Sequence, residues 1–272
     1  MKPAPFDYHD PETVEEVVDL LADRGDDAVI LAGGQSLVPL LNLRLARPAV
    51  VVDLRRLPKE MPTVVEGGVQ IGAMVSVTDL LAVPASERLG AGVAEALRMI
   101  GHPQIRNRGT VVGSIAHADP AAELPAVLAA LDGVVSLRSR SGERQVAAAD
   151  FFDGPFSTAR QADELLTSVM LPAFDGPSTT IEVARRPGDF ALVGVFVAQR
   201  RGDTRIAAFG VGDRPIRLRG AEEVVNAGAA PAEIAPLVRD ALDPQDDVHA
   251  SGAYRRNVAA TLVTRALEQL AA

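Results

Sequence analysis

Apolar and polar positions follow two different periods along this chain, and the change of period divides it into elements. Val14, Val17, Val18 and Leu21 repeat at helical spacing behind Asp10-Pro11. This predicts a first helix capped by Asp10, with Pro11 at its start and an end near Gly25. Ala28 to Ala32 is a short continuous apolar run, expected to be a buried strand, and it leads into Gly33-Gly34-Gln35-Ser36. Leu37 to Leu45 returns to helical spacing despite Pro39, and Val50-Val51-Val52-Asp53 is another strand. The order helix, strand, loop, helix, strand predicts a small α/β unit.

The texture changes at Thr63. Thr63-Val64-Val65 and Val69-Gln70-Ile71 flank Glu66-Gly67-Gly68, a hairpin signal. Thr78 is expected to cap a short helix, and Ala91 to Ile100 forms another. Arg106-Asn107-Arg108-Gly109 is a basic turn leading into a loop at Thr110-Val111-Val112-Gly113-Ser114, and Asp119-Pro120 opens a helix to Leu131. Val134 to Arg138 and Leu165 to Leu171 are expected strands, with a domain boundary after Pro172 in the loop Ala173 to Ser178. Three β-rich runs follow, Thr180 to Ala184, Ala191 to Arg200 and Thr204 to Val211, and then helices ending with Tyr254 to Leu270. Strands followed by helices predict a small α+β domain. No internal repeat is visible.

Composition removes several function classes. Of 272 residues, 47% are hydrophobic and 23% charged, the balance of a globular protein long enough for a substantial core. Lys plus Arg total 27 and Asp plus Glu 36, so the net charge is 27 − 36 = −9, which argues against nucleic acid. Two Tyr, eight Phe and no Trp leave little for base stacking. The absence of cysteine excludes disulfides, thiolate chemistry, a Cys-ligated iron–sulfur cluster and a flavin linked through sulfur. No apolar stretch approaches the roughly 20 residues of a spanning helix, and Met1 to Pro5 leads into a polar helix without a signal region. A cytoplasmic location is expected.

Gly33-Gly34-Gln35-Ser36 lies between an apolar strand and an apolar helix. Successive backbone N–H groups there can converge on a diphosphate, with glycine removing the Cβ that would obstruct it; a tight turn without a ligand fits the same residues. Thr110 to Ser114 is a second candidate of the same kind. Asp119 and Glu123 follow closely, the first as a helix cap or ligand group, the second as a partner for ribose hydroxyls or a solvated side chain. The pattern G-x-G-x-x-G is absent, Gly210-Val211-Gly212 reads as a strand end, and there is no P-loop. His9, His102, His117 and His249 are too dispersed for a metal site, and only His117 lies near a candidate loop. No Ser-His-Asp arrangement is recognisable, so neither a catalytic side chain nor a metal ligand is assigned. Arg185-Arg186 ahead of Gly188-Asp189 is a surface turn or an interface patch.

Longer stretches carry a resemblance. They begin with Lys2-Pro3-Ala4-Pro5-Phe6-Asp7-Tyr8 and Ala32-Gly33-Gly34-Gln35-Ser36-Leu37-Val38-Pro39. Pro103-Gln104-Ile105-Arg106-Asn107-Arg108-Gly109-Thr110 and Gly113 to Pro125 form the centre. Asp150-Phe151-Phe152, Arg185 to Ala191 and Tyr254-Arg255-Arg256 complete the set. In this order the chain resembles, over essentially its whole length, the FAD-binding medium subunit of molybdenum hydroxylases, the carbon monoxide dehydrogenase and xanthine dehydrogenase group. The resemblance implies an α+β chain with a two-subdomain FAD-binding fold of the vanillyl-alcohol-oxidase type. That domain would span 1–172 (subdomains about 1–54 and 55–172), followed by a C-terminal domain, 173–272, with a three-stranded antiparallel sheet.

The resemblance also implies a site. The FAD would be non-covalent, its pyrophosphate on the loop Ile30, Leu31, Ala32, Gly33, Gly34, Gln35, Ser36 and Leu37, with Thr110, Gly113 and Ser114 from the second loop. Glu123 falls on the ribose-binding acidic position, His117 lies beside the second loop, and Ile100 and Leu166 fall on apolar positions near the isoalloxazine. Two departures stand out: Val112 replaces the first glycine of the family's T-x-G-G, and residues 181–184 lack a lysine that some relatives carry ahead of the Arg-Arg pair. Family members take electrons from 2Fe–2S clusters on a small partner subunit, reduced in turn by a molybdopterin centre on a large one. They pass them to NAD, quinone or oxygen. A cysteine-free chain fits that division of labour. Two other readings are a flavin-free scaffold subunit, which Val112 makes conceivable, and a stand-alone flavin oxidase, for which no base is evident.

Overall fold

Near the N-terminus the run Val50-Val51-Val52 has no polar face, and it occupies the middle of a parallel sheet, where both faces are covered. The computed structural model describes residues 2–272, and its first unit runs β1 (Asp7–His9), α1 (Val14–Arg24), β2 (Ala28–Leu31), α2 (Leu37–Asn42) and β3 (Val50–Asp53). β3 pairs parallel with β1 and β2 on either side, and all four of its residues are buried. β1 has no sequence signal of its own; it is held by this pairing and by the Tyr8 hydroxyl, which donates to Asp53 at 2.8 Å. The cap of α1 is Thr13, not Asp10: the Thr13 hydroxyl accepts from the Glu16 N–H at 3.2 Å, while Asp10 pairs with Arg55. β2 is half-buried, not buried, because Val29 and Ile30 line the cleft described below.

The second unit contains β4 (Thr63–Val65), β5 (Gly68–Gly72), α3 (Val77–Ala82), α4 (Ala91–Met99), α5 (Pro103–Arg106), α6 (Val111–His117) and α7 (Glu123–Ala130). It continues with β6 (Val134–Ser139), β7 (Gly142–Ala147), the small pair β8 (Phe152–Gly154) and β9 (Ser157–Thr158), and β10 (Leu165–Pro172). The sheet order is β4-β5-β10-β6-β7, antiparallel throughout, with the apolar β10 at its centre. Ser76, not Thr78, caps α3. The Ser76 hydroxyl accepts from the Asp79 N–H and the Asp79 carboxylate accepts from the Ser76 N–H, a reciprocal box. Asp119 likewise holds a turn, accepting from the Ala121 N–H at 2.9 Å, and α7 starts four residues later.

The C-terminal unit has β11 (Ser178–Val183), β12 (Val193–Arg200), β13 (Asp203–Phe209) and β14 (Ile216–Arg217), then α8 (Arg219–Asn226), α9 (Pro231–Asp240) and α10 (Gly252–Ala271). The three expected strands are present, and a fourth, the two-residue β14, extends their antiparallel sheet. Alternation assigns its two faces. Val193, Val195, Val197, Ile206 and Ala208 pack against the C-terminal helices. Phe196, Ala198, Ala207 and Phe209 belong instead to the core of the second unit, with Leu97, Leu124 and Leu128. This sheet is therefore a layer shared between two cores.

Candidate functional site

The first and second units meet at two backbone loops. A Cβ on Gly33 would lie 2.2 Å from the Arg108 carbonyl oxygen, so this glycine lets the loop at 33–36 rest on Arg108-Gly109. Its bare side faces the neighbouring loop, a use of glycine that the motif alone does not disclose. Gly34 has φ +75°, the left-handed conformation that turns the strand β2 into the helix α2. The result is four successive N–H groups, Gly33 to Ser36, with no acceptor among the described residues. Such a run of free amides forms an anion-binding concavity.

The second expected loop is the first turn of helix α6. Thr110 is its cap, its hydroxyl accepting from the Gly113 N–H at 3.0 Å, and Val111 donates to the Val75 carbonyl. The Gly113 amide is thus occupied within the turn, while that of Val112 has no acceptor among the described residues. A Cβ on Gly113 would sit 2.5 Å from the Thr110 Oγ1 and 3.6 Å from the Ala32 Cβ, so this glycine closes the cap and brings the two loops together. The Val112 side chain is buried in the main core and forms part of the cleft wall.

Both loops open onto one cleft of about 420 Å³, within the usual range of roughly 300–1,000 Å³ for a small-molecule site. Ile30, Ala32, Gly33, Gly34, Gln35, Ser36, Leu37, Ile100, Thr110, Gly113, Ser114, His117, Glu123 and Leu166 all line it. Leu31 does not: at the end of β2 it packs on the far side of the loop, its Cδ1 3.4 Å from a Cβ built on Gly34. The sequence did not single out Arg160 or Phe190 as lining residues. Arg160 comes from the segment between β9 and β10, where it donates to the Gln161 and Glu164 carbonyls. Phe190, 61% exposed, arrives from the C-terminal unit beside Gly188 and Asp189. Gly188, at φ +85°, packs against His102 and so sets that turn at the cleft mouth. Arg185 and Arg186 are exposed on an adjoining hollow, and Arg186 pairs with Asp189 at 3.1 Å.

Glu123 is the electrostatic oddity of the cleft. It is 6% exposed, and its own backbone N–H is the one donor acting on its carboxyl. Burial, followed by the nearby carboxylates of Glu182 and Asp119, pushes its pKa up to about 8. Glu182 lies on β11, in the segment where some relatives carry lysine. Its Oε2 is the buried side-chain oxygen without a hydrogen-bond partner among the described residues, and burial raises its pKa to about 7. His117 packs on Phe156 with ring centres 5.0 Å apart; burial lowers its pKa, against an opposing pull from Asp119. A free-amide nest beside a buried, underused carboxyl suits a ligand that has both a phosphate and vicinal hydroxyls.

Comparison with known proteins agrees with that chemistry. The family described as "FAD binding domain in molybdopterin dehydrogenase" matches residues 4–174, and "CO dehydrogenase flavoprotein C-terminal domain" matches 180–270. The chain belongs to this flavoprotein family. Among its relatives are the 6-hydroxypseudooxynicotine dehydrogenase complex subunit alpha of Paenarthrobacter nicotinovorans, 39% identical over 98% of this chain and 95% of that one, and the nicotine 6-hydroxylase medium subunit of the same organism, 38% identical over 100% and 99%. Among solved structures, carbon monoxide dehydrogenase from Hydrogenophaga pseudoflava superposes with a TM-score of 0.94 at 33% identity, covering 99% of this chain and 98% of that one. The chain is therefore an FAD-binding electron-transfer subunit of the molybdenum hydroxylase type, with the family's mixed helix-and-strand fold and its FAD-binding domain. Molybdopterin and iron–sulfur centres belong to other subunits in this family. Among the described residues no helix is long and apolar enough to cross a membrane.

Proposed function

We propose that the cleft holds FAD without a covalent bond and that the lining residues divide the work as follows. The free N–H groups of Gly33, Gly34, Gln35 and Ser36 donate to the diphosphate, with the Val112 amide beside them. Thr110, already accepting from Gly113, keeps its own proton to donate, and Ser114 adds a second hydroxyl. Glu123 accepts from the ribose hydroxyls. Ile100, Leu166 and Leu37 make the apolar seat of the ring system, while Phe190 limits access of water from the mouth. When bound, the flavin supplies the redox chemistry, collecting electrons from iron–sulfur clusters and passing them to an external acceptor.

Within this reading, residues 1–172 are the FAD-binding domain, with subdomains of about 1–54 and 55–172, and 173–272 is the C-terminal domain. The matched segments 4–174 and 180–270 support that division. The working assembly contains a large molybdopterin subunit and a small iron–sulfur subunit in the cytoplasm, and the acceptor is NAD, a quinone or oxygen. Subunit names such as "medium subunit" among the relatives support the heteromeric part.

The observation that carries the assignment is the conjunction of four unpaired amides with the buried Glu123 carboxyl, which has only its own backbone N–H as a donor. Purified chain is expected to show flavin absorption, or to acquire it on FAD titration, and acid denaturation should release all of the flavin into the supernatant. Flavin retained on the precipitated protein would rule out non-covalent binding, and a chain that neither carries nor takes up FAD would end the proposal.

A further inference from the structure

We infer that Val38 of α2, together with Leu43, Arg44, Leu45 and Arg47 of the turn that follows it, is the surface on which the iron–sulfur subunit docks. The inference rests on the flavin reading above and adds the place where the electron donor sits. Three observations carry it. The first is exposure: Val38 is 40% exposed, Leu43 56% and Leu45 74%, three large apolar side chains within eight residues. Scattered exposed leucines need no explanation, but three such side chains gathered within one short segment point to an interaction surface.

The second is position. Leu37 and Leu40 of the same helix line the flavin cleft, so the patch begins within one helical turn of the cleft rim. Electron transfer weakens steeply with distance, and a donor on another chain must therefore cover part of that rim. The turn is also fixed in shape. Arg44 has φ +58°, costly for a residue with a side chain, and is held there because the Leu45 and Ala46 N–H groups both donate to the Leu40 carbonyl. Its guanidinium reaches across to the Lys2 carbonyl at 3.1 Å.

The third is charge. The chain is acidic overall at −9, yet residues 28–52 contain two arginines, Arg44 and Arg47, and no aspartate or glutamate. Neither arginine forms an ion pair among the described residues. A cluster of two ferric ions, two sulfides and four thiolates carries net negative charge, and its setting is complemented by this apolar, cationic segment.

The test uses the assembled enzyme. The tagged chain is purified from its host with the subunits that accompany it, the iron–sulfur subunit is identified by mass, iron and sulfide, and iron and FAD are measured per chain. The double variant Leu43→Asp/Leu45→Asp is compared with Val64→Asp, a similarly exposed apolar position on β4. The expected result is full FAD in both variants and wild-type iron in V64D, with iron–sulfur subunit retention reduced about tenfold or more in the double variant, as when interface anchors are lost. Equal iron in wild type and double variant, with FAD present in both, overturns the docking surface and leaves the flavin reading standing. A wild-type homodimer that the double variant separates overturns it in favour of self-association. A wild-type chain without FAD removes both.

Discussion

Glycine at 33 and glycine at 34 serve different physical ends, and substitution separates them. At Gly33 the obstacle is backbone, the Arg108 carbonyl 2.2 Å from a built Cβ, so Gly33→Ala must push the two loops apart. Overpacking of that kind costs about 1–3 kcal/mol, and FAD affinity should fall roughly tenfold to a hundredfold as the amides lose their shared aim. At Gly34 the nearest atom is the flexible end of Val38 at 3.2 Å, and the cost is the φ of +75°, roughly 1–2 kcal/mol for a residue with a Cβ. Melting curves with and without FAD distinguish the two, because Gly34→Ala should lose stability while retaining more of its cofactor affinity. Glu123 yields a pH prediction. Its carboxyl is raised from the usual 4.5 to about 8 in the folded chain, so the stability that the neutral form contributes is full below pH 4.5 and is lost as pH rises through 8. Glu182 titrates in the same direction, so the measurement is the difference in melting temperature between wild type and Glu123→Gln, expected to shift in favour of the variant as pH increases from 5 to 9. Ribose hydroxyls donating to the ionised form would also make FAD binding at pH 7 release protons. Calorimetry in two buffers of different ionisation enthalpy reads that release, and Glu123→Gln should abolish most of it.

Among the elements, α6 shows how far the sequence could be read. Thr110 to Ser114 was recognisable as a site but was expected to be a loop, because Val-Val-Gly-Ser has weak helix propensity and no long apolar period. The helix is formed by tertiary support: the Thr110 cap, and the Val111 N–H bonded to Val75 on the way into α3. The same explanation covers the displaced starts of α1 and α3. Asp10 and Thr78 are good capping residues in isolation, but Thr13 and Ser76 have the partners three residues on, Glu16 and Asp79, that complete the bond. β1 and β14 were illegible for a different reason, since two or three residues carry no period and exist only through their neighbours. By contrast β10, β12 and α10 were legible because their apolar runs are long. Of the cleft, the glycine loops and Glu123 could be read from the chain, whereas Arg160 could not, since nothing local distinguishes a guanidinium in the connection between β9 and β10. The cap gives a test at this scale. Thr110→Ala should cost about 1 kcal/mol of stability and weaken FAD, whereas Thr110→Ser restores most of both; a Thr110→Ala chain with unchanged FAD affinity would dissociate the cap from the cofactor site.

At the scale of the molecule the C-terminal sheet is the element that makes the two matched segments one cooperative body. Phe196 and Phe209 point from it into the core of the FAD-binding segment and are wholly buried there. Around that contact Asp132, on the turn after α7, is clasped by Arg205 at 3.1 Å, Arg217 at 3.0 Å and Arg219 at 3.6 Å, all from the C-terminal unit. Arg217 also pairs with the buried Glu222, whose carboxylate accepts from the Ile206 N–H. Separating the segments would expose both phenylalanines, each worth about 3–5 kcal/mol when truncated in a core, and would take all three arginines away from Asp132. That exceeds what a few surface ion pairs contribute. The full chain should therefore melt in a single calorimetric transition, with calorimetric and van't Hoff enthalpies nearly equal, and FAD should raise that one transition as a whole. Residues 2–174 expressed alone should bind a hydrophobic dye and fail to retain FAD, even though every loop that contacts the diphosphate lies inside them. Two resolved transitions, or a stable, flavin-loaded fragment, would mean that the sheet is only an appended layer and that Phe196 and Phe209 cover a core able to stand without them.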